Sequence, residues 1–377
     1  ITDDRDAEFC LGQFIWTGWD YIGEPTPYHS KNSFFGQIDT AGFPKDSFYM
    51  FKSAWTDYKK DPFVHIFPYW DFSPGQIIDV RVCTNAPLVE LFLNGKSLGK
   101  KHINHAKDTS LSLDLSIPYE KGILTASAYD EDGELIAKTS RSSFSDPALI
   151  ILKTDTQVLH ADGRDLCFVE ISVEDKDGNP VENAVNRMFI RVEGEGRLIG
   201  LDNGDSTNFD SYKGNTMRLF SGKLLAVIAS TNTPGKITLT AESEGLPHKT
   251  LSLESRTSHI IPGVSCSEKN VLIPFFSDKP VRKIELLTPI TALTPQQNEI
   301  EVEAKIFPED ADYKELEWRC ANDAGITTVN ASLEATQKGV KIKALGDGEF
   351  RLRCGTRNGK KELSLISMKE FSAEGFG

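Results

Sequence analysis

Apolar and polar residues alternate along most of this chain, in short runs that turn-forming residues interrupt at intervals of roughly ten positions. The alternation begins at "DPFVHIFPYW" (residues 61–70) and continues towards the C-terminus. A period of two places every second side chain on the same face of a sheet, so the pattern predicts strands that are buried on one face.

These predicted strands fall into three blocks, 63–147, 148–256 and 257–377, the last of which begins with a less regular link. Each block has about the size of an immunoglobulin-like β-sandwich, roughly 100 residues. The blocks share no evident repeat motif. The pattern therefore predicts three tandem immunoglobulin-like sandwiches.

Residues 1–62 have a different pattern. The apolar run "QFIW" (13–16) predicts a buried strand, and "KDSFYMFKSAWTDY" (45–58) spaces its aromatic residues as an amphipathic helix does. One strand and one helix cannot cover their own sheet edge, so we expect part of a larger α/β domain. The predicted fold class is mainly β, with a short α/β remnant before the sandwiches.

Composition narrows the possible partners. The chain has 377 residues, 42 basic and 55 acidic, with a formal net charge of −13. No basic run is long enough to follow a phosphate backbone, which argues against nucleic acid and anionic membranes as partners. No apolar run reaches the roughly 18 to 20 residues that cross a bilayer. The opening "ITDDRDAEFC" lacks a signal-peptide pattern and an initiator Met, so we expect an excised fragment.

Cysteine spacing and oxygen-rich loops raise two further possibilities. Cys320 and Cys354 each end a strand-like run, so they are either a cross-strand disulfide or two buried thiols. In "LDNGDSTNFD" (201–210), Asp202 and Asp205 either bind Ca²⁺ or belong to a loop that is closed by its own side chains. No sequence motif for a cofactor is present, so none is expected.

The stretch "FIWTGWDYIGEPTPY" (14–28) concentrates aromatic and acidic residues more than any other. Asp20 and Glu24 could be read as the carboxylate pair of a glycosidase. Both would lie on one loop, however, and a deep pocket needs walls from several elements. We therefore expect only part of a site here.

Four segments of residues 6–101 resemble the C-terminal part of family 2 glycoside hydrolases of the β-galactosidase type. They are "GQFIWTGWDYIGEPTPY", "FFGQIDTAGFPKDSFYMFKSAW", "HIFPYWDF" and "VELFLNGKSLGKK". The block with "GLDNGD" is similar to a domain that follows in such enzymes, and the last block resembles a bacterial immunoglobulin-like module. The resemblance implies that "QFIW" and 45–58 are the last strand and helix of a catalytic (β/α)₈ barrel.

The resemblance also implies roles for single residues. Trp16 would be the floor of the subsite for the terminal galactose, although a Trp buried in the barrel core is the alternative. A non-proline cis peptide bond is expected after this Trp. Asp20, Tyr21, Glu24 and Tyr28 would lie on the loop at the rim, where each could bind a sugar hydroxyl; Glu24 could equally fix the loop. The two catalytic Glu residues would precede residue 1.

Two functions follow as hypotheses. In the first, the chain is the C-terminal part of a periplasmic or secreted retaining β-galactosidase, packs on the N-terminal barrel of its own chain and is inactive alone. In the second, the sandwiches form a non-catalytic carbohydrate-binding or adhesive stalk, since sandwich folds host many functions.

Overall fold

The computed structural model describes residues 1–26, 30–104, 106–259, 278–358 and 362–376. They form two compact units, one of Ile1–Asp71 with Ile77–Phe275 and one of Phe72–Gln76 with Phe276–Gly377. Strands dominate both units, and the strands form sheets that pair into sandwiches. The predicted mainly-β class is confirmed. No helix in the described residues is long and apolar enough to span a bilayer.

The first 62 residues contain two helices, α1 (Thr2–Asp6) and α2 (Asp46–Trp55). Helix α2 confirms the helix that the aromatic spacing predicts, although it ends earlier, where the Thr56 amide caps the carbonyl of Lys52. The ring of Tyr49 stacks on His65 with 3.7 Å between centroids. The aromatic face of α2 is thus held against the first sandwich.

The predicted strand at 13–16 is wrong, because these residues have an irregular conformation. A strand needs a neighbour to pair its backbone N–H and C=O groups, and no described segment pairs with residues 13–16. Phe14 and Trp16 are fully or largely exposed rather than buried. The apolar run indicated a buried strand, but no described residue of this chain buries it.

The first sandwich has a three-stranded and a four-stranded antiparallel sheet. The three-stranded sheet has the order β1-β2-β5 and the other the order β4-β3-β6-β7. Alternate positions are buried, as in β2 and β3. The strands are β1 (Val64–Phe67), β2 (Ile77–Thr84), β3 (Leu88–Leu93), β4 (Lys96–His102), β5 (Ser112–Pro118), β6 (Ile123–Tyr129) and β7 (Leu135–Ser142).

The second sandwich packs the sheet β12-β14-β10-β8 against the sheet β13-β11-β15-β16-β9. Its core takes apolar residues from both sheets, including Val169, Leu224, Ile190 and Leu239. The strands are β8 (Leu149–Thr154), β9 (Val158–Ala161), β10 (Leu166–Glu174), β11 (Arg187–Gly194), β12 (Gly196–Asp202), β13 (Thr216–Arg218), β14 (Lys223–Ser230), β15 (Gly235–Ser243) and β16 (Leu246–Thr257).

The third sandwich lies in the second unit and pairs the sheets β17-β19-β22-β21 and β18-β24-β23-β20. Val302, Ile342, Leu352 and Phe371 belong to its core. The strands are β17 (Lys283–Leu287), β18 (Ala292–Leu293), β19 (Glu299–Phe307), β20 (Leu316–Ala321), β21 (Ala331–Ala335), β22 (Gly339–Ala344), β23 (Gly348–Asn358) and β24 (Glu362–Ala373).

Cys320 and Cys354 are both free thiols in the core of the third sandwich. The register of β20 and β23 pairs Cys320 with Leu352 and Cys354 with Trp318, so the two Cys are diagonal neighbours. Diagonal positions are about 7 to 8 Å apart, beyond the usual Cα separation of a disulfide, about 4.4 to 6.8 Å. The structure therefore has the buried-thiol alternative and not the disulfide.

Candidate functional site

Trp16 is the most prominent feature of the segment that follows residue 13. Its side chain is 75% exposed, so it is not a core residue within this chain. The peptide bond between Trp16 and Thr17 is cis, as the resemblance implies. A large, flat and exposed indole is suited to covering the apolar face of a sugar ring.

Tyr21 holds the edge of this indole. The Trp16 Nε1–H donates a hydrogen bond to the Tyr21 hydroxyl at 3.0 Å, and the two rings meet edge to face with centroids 6.3 Å apart. The Tyr21 hydroxyl in turn donates to Glu24 Oε2, and this bond raises the pKa of Tyr21. Tyr21 also packs edge to face on Phe35. The four side chains form one connected group, and Glu24 is its exposed end.

Asp20 has a different position from the one that the resemblance implies. Its side chain is buried, and Oδ1 accepts a hydrogen bond from the Gly36 amide at 2.8 Å. Oδ2 forms an ion pair with Lys45 Nζ at 2.7 Å. Both carboxylate oxygens are therefore used within the protein. Asp20 positions the loop instead of presenting a carboxylate at the rim.

The backbone of residues 30–43, which we term the bridging segment, supports the loop at residues 16–24, the Trp16 loop. Ser33 exchanges two hydrogen bonds with Tyr21: its amide donates to the Tyr21 carbonyl, and its hydroxyl accepts from the Tyr21 amide. The amides of Gln37 and Ile38 both donate to the Gly18 carbonyl at 3.0 Å. The bridging segment thus fixes the loop at several points.

Gly36 shows how closely the two segments approach. A Cβ added there would lie 2.3 Å from the Asp20 amide nitrogen and 2.4 Å from the Trp19 carbonyl carbon. These are backbone atoms that cannot turn aside, so only glycine fits. Sequence reasoning missed Gly36, Ser33 and Lys45, because each acts through a contact between residues distant in sequence. The weak signal was a glycine in "FFGQID" that no turn pattern explained.

The oxygen-rich loop near 201–210 forms hydrogen bonds of its own. Asp202 Oδ1 accepts from the Gly204 amide at 2.9 Å, and Asp205 Oδ1 accepts from the amide and hydroxyl of Thr207 at 2.8 and 2.7 Å. Within the described residues, no three His, Cys, Asp or Glu side chains converge as metal ligands. Both acidic side chains therefore form hydrogen bonds within the loop, and a Ca²⁺ site there stays a prediction. Tyr28 lies outside the described residues.

Comparisons with known proteins show the family of the chain. Residues 150–252 match the glycoside hydrolase family 2 C-terminal domain 5, and residues 75–137 match a domain of unknown function, DUF4982. The chain is 42% identical over 255 residues to a beta-galactosidase of Bacteroides ovatus, an alignment that covers 67% of this chain and 29% of that protein. This chain belongs to glycoside hydrolase family 2.

A second relative broadens the activities found in the family. A putative beta-glucuronidase of Formosa agariphila is 34% identical over 229 residues, which cover 58% of this chain and 22% of that protein. The family 2 chain described here thus spans less than a third of the length of these two relatives.

Solved structures show the same relationship. A beta-glycosidase from Bacteroides vulgatus has a TM-score of 0.61 and 33% identity, covering 65% of this chain and 31% of that chain. A family 2 member from Bacteroides cellulosilyticus has a TM-score of 0.59 and 26% identity, covering 66% and 36%. A beta-glucuronidase of the family covers 95% of this chain and 41% of its own with a TM-score of 0.58; at 16% identity it shows the fold alone.

Proposed function

We propose that this chain is the C-terminal part of a retaining β-galactosidase that hydrolyses terminal β-galactosides. The observation that carries the proposal is Trp16, a 75% exposed indole whose edge is fixed by Tyr21. The 42% identity to the Bacteroides ovatus beta-galactosidase supports galactose as the sugar. In this proposal the catalytic Glu pair lies in chain that precedes Ile1, and the compartment stays a prediction, periplasmic or secreted.

Trp16 binds by removing apolar area from water. The C–H face of a pyranose stacked on an indole is worth on the order of 1 to 2 kcal/mol. In this proposal Glu24, at the exposed end of the group that Tyr21 links, accepts a hydrogen bond from a sugar hydroxyl. The chain supplies one wall of the sugar site, and bond cleavage needs the acid and nucleophile from elsewhere.

An exposed apolar strip supports the idea that this wall packs on a preceding barrel. Six large apolar side chains between residues 9 and 22 are 58% to 107% exposed. They are Phe9, Leu11, Phe14, Trp16, Trp19 and Ile22. Single apolar residues scattered over a surface are normal, whereas a group of this size marks an interaction site. We propose that the N-terminal barrel of the same protein covers most of this strip and leaves the Trp16 face to the sugar.

The substrate is tested by expressing the longer open reading frame and this chain separately. Nitrophenyl β-galactoside, β-glucuronide and β-mannoside are offered to each. We expect the longer enzyme to prefer the galactoside and this chain alone to release no nitrophenol. Turnover by the purified chain alone, or preference of the longer enzyme for the glucuronide, would overturn the proposal.

The role of Trp16 is tested by Trp16→Ala in the longer enzyme, with Trp55→Ala as control. Trp55 is a similarly exposed Trp, at the end of α2. We expect kcat/KM to fall about tenfold for Trp16→Ala, because 1.4 kcal/mol corresponds to a factor of ten, and to change little for Trp55→Ala. Equal losses in both variants would contradict the role of Trp16.

Docking is tested by mixing this chain with the separately expressed preceding part. We expect activity to return on mixing, and Leu11→Asp in this chain to prevent it, because a charge would be buried in an apolar contact. Activity that is unaffected by Leu11→Asp would show that the strip is not the contact.

A further inference from the structure

The second sandwich contacts the bridging segment through the loop at residues 202–212, here termed the clamp loop. The Lys31 amide donates to the Ser206 carbonyl at 2.8 Å, and Thr40 Oγ1 donates to Asp202 Oδ1 at 3.2 Å. The Lys31 ammonium lies 4.4 Å from the centroid of the Tyr212 ring. The clamp loop therefore holds both ends of the bridging segment.

Gly204 approaches the bridging segment too closely for any side chain larger than hydrogen. Its φ is +75°, and an added Cβ would lie 2.2 Å from Asp39 Oδ2. A side chain there would meet a backbone penalty and a collision with a carboxylate that is itself fixed. Asp39 Oδ1 accepts from the Phe43 amide at 2.9 Å, which leaves the carboxylate little freedom to move.

Hydrogen bonds and an ion pair fix the clamp loop to the second sandwich. Asn203 is buried; its side-chain amide donates to the Arg218 carbonyl, and its Oδ1 accepts from the Asp205 amide. Arg187 on β11 forms an ion pair with Asp210 at 2.9 Å. A loop fixed to the sandwich in this way can impose its position on the segment that it touches.

We propose that the clamp loop positions the exposed Trp16 indole, here termed the sugar platform. The second sandwich fixes the bridging segment, and the bridging segment fixes the Trp16 loop. The chain of contacts runs from Gly204 and Ser206 to the bridging segment, from Ser33 and Gly36 to the Trp16 loop, and from Tyr21 to the indole. The residues of the clamp loop are positioning residues and touch no sugar. Only the sugar-binding role of Trp16 in this inference rests on the proposed function; the positioning of the Trp16 loop does not.

The matched test is Gly204→Ala against Gly178→Ala. Gly178 has a similar φ, +81°, lies in a turn between β10 and β11 of the same sandwich, and has open space where a Cβ would be added. Both variants therefore carry the same backbone penalty, and only Gly204→Ala disturbs the bridging segment. Thr40→Val, which removes the hydrogen bond to Asp202 without changing size, is the milder second variant.

The first readout is amide hydrogen exchange in this chain. We expect Gly204→Ala to speed exchange of the Asp20, Tyr21 and Ser33 amides about tenfold or more, since their protection depends on the local opening energy. Thr40→Val should have a smaller effect in the same direction, and Gly178→Ala none. Unchanged exchange of these amides in both Gly204→Ala and Thr40→Val would overturn the proposal.

The second readout is nitrophenyl β-galactoside hydrolysis by the longer enzyme. We expect Gly204→Ala to raise KM about three- to tenfold with a smaller change in kcat, because the platform binds the substrate. Faster exchange with unchanged KM would overturn the link to the sugar platform. If the unsubstituted enzyme turned over no galactoside, the proposed function would fail. The exchange data would still show whether the clamp loop positions the Trp16 loop.

Discussion

The indole nitrogen of Trp16 lies 3.0 Å from the hydroxyl oxygen of Tyr21 and donates a hydrogen bond to it, while that hydroxyl donates to Glu24. An exposed indole would otherwise turn freely about its side-chain bonds. Because the Tyr21 hydroxyl contacts both the Trp16 indole and the Glu24 carboxylate, removal of this hydroxyl should disturb both side chains.

We therefore expect Tyr21→Phe in the longer enzyme to lower kcat/KM for a β-galactoside about fivefold to tenfold. A neutral hydrogen bond contributes about 1 kcal/mol, and the indole also loses its fixed orientation. The control is Tyr58→Phe, since the Tyr58 hydroxyl likewise donates to an acidic side chain, Glu131, on the surface. The measurement is kcat/KM of both variants by steady-state kinetics. A similar loss in Tyr58→Phe would argue against a specific role for Tyr21.

Gly36→Ala should loosen the Trp16 loop. The added methyl group would collide with the backbone of Asp20 and Trp19, and overpacking of this kind costs about 1 to 3 kcal/mol. Gly18→Ala is the control, because Gly18 lies in the same loop and has open space where a Cβ would be added. Urea unfolding and limited proteolysis should show an earlier transition and faster cleavage for Gly36→Ala only. Equal behaviour of the two variants would contradict the close packing at Gly36.

The fold could be predicted from the sequence wherever burial has a local period. Strand β10 buries every second residue, and α2 has aromatic residues at helical spacing, so short windows contained the necessary information. The strand predicted at 13–16 was wrong for the opposite reason. Its apolar residues indicate burial, but no described residue pairs with them, and periodicity does not show whether a pairing neighbour is present.

The site was predictable only in part. Trp16 was found because the motif around it resembles a family, whereas Asp20 was assigned to the rim on the same ground and is buried against Lys45 and Gly36. The sequence does not distinguish an Asp that faces solvent from one that accepts a hydrogen bond from a backbone amide. Gly204 could not be found because its importance depends on Asp39, which is far away in sequence.

The buried thiols of Cys83, Cys320 and Cys354 should be unreactive in the folded chain. Burial raises their pKa to about 12, about 11 and about 12 respectively, so little thiolate exists near neutral pH. A chain carrying Cys266→Ser, which removes a thiol outside the described residues, is treated with a thiol reagent at about pH 8 and mapped by mass spectrometry. We expect only the half-buried Cys10 to react quickly. A disulfide-linked peptide joining Cys320 and Cys354 would contradict the structure.

Asp39 should make stability depend on pH. Burial is the main cause that raises its pKa from 3.8 to about 6, with nearby Asp202 adding to the shift and Lys45 opposing it. The folded chain therefore holds a proton that the unfolded chain releases. The stabilising contribution is complete below pH 3.8 and is lost as the pH rises through about 6.

We expect Asp39→Asn to remove this dependence, because an amide oxygen can still accept the hydrogen bond from the Phe43 amide and carries no charge. Urea unfolding between about pH 4.5 and pH 7.5 should show the original chain losing stability relative to the variant as the pH rises. Asp162→Asn is the control: backbone amides of Arg164 and Asp165 help lower the pKa of Asp162, so its contribution is lost only as the pH falls below this window. A stability difference between the original chain and Asp39→Asn that stays constant with pH would show that Asp39 is ionised throughout, and that its contact with Gly204 is made by a charged carboxylate.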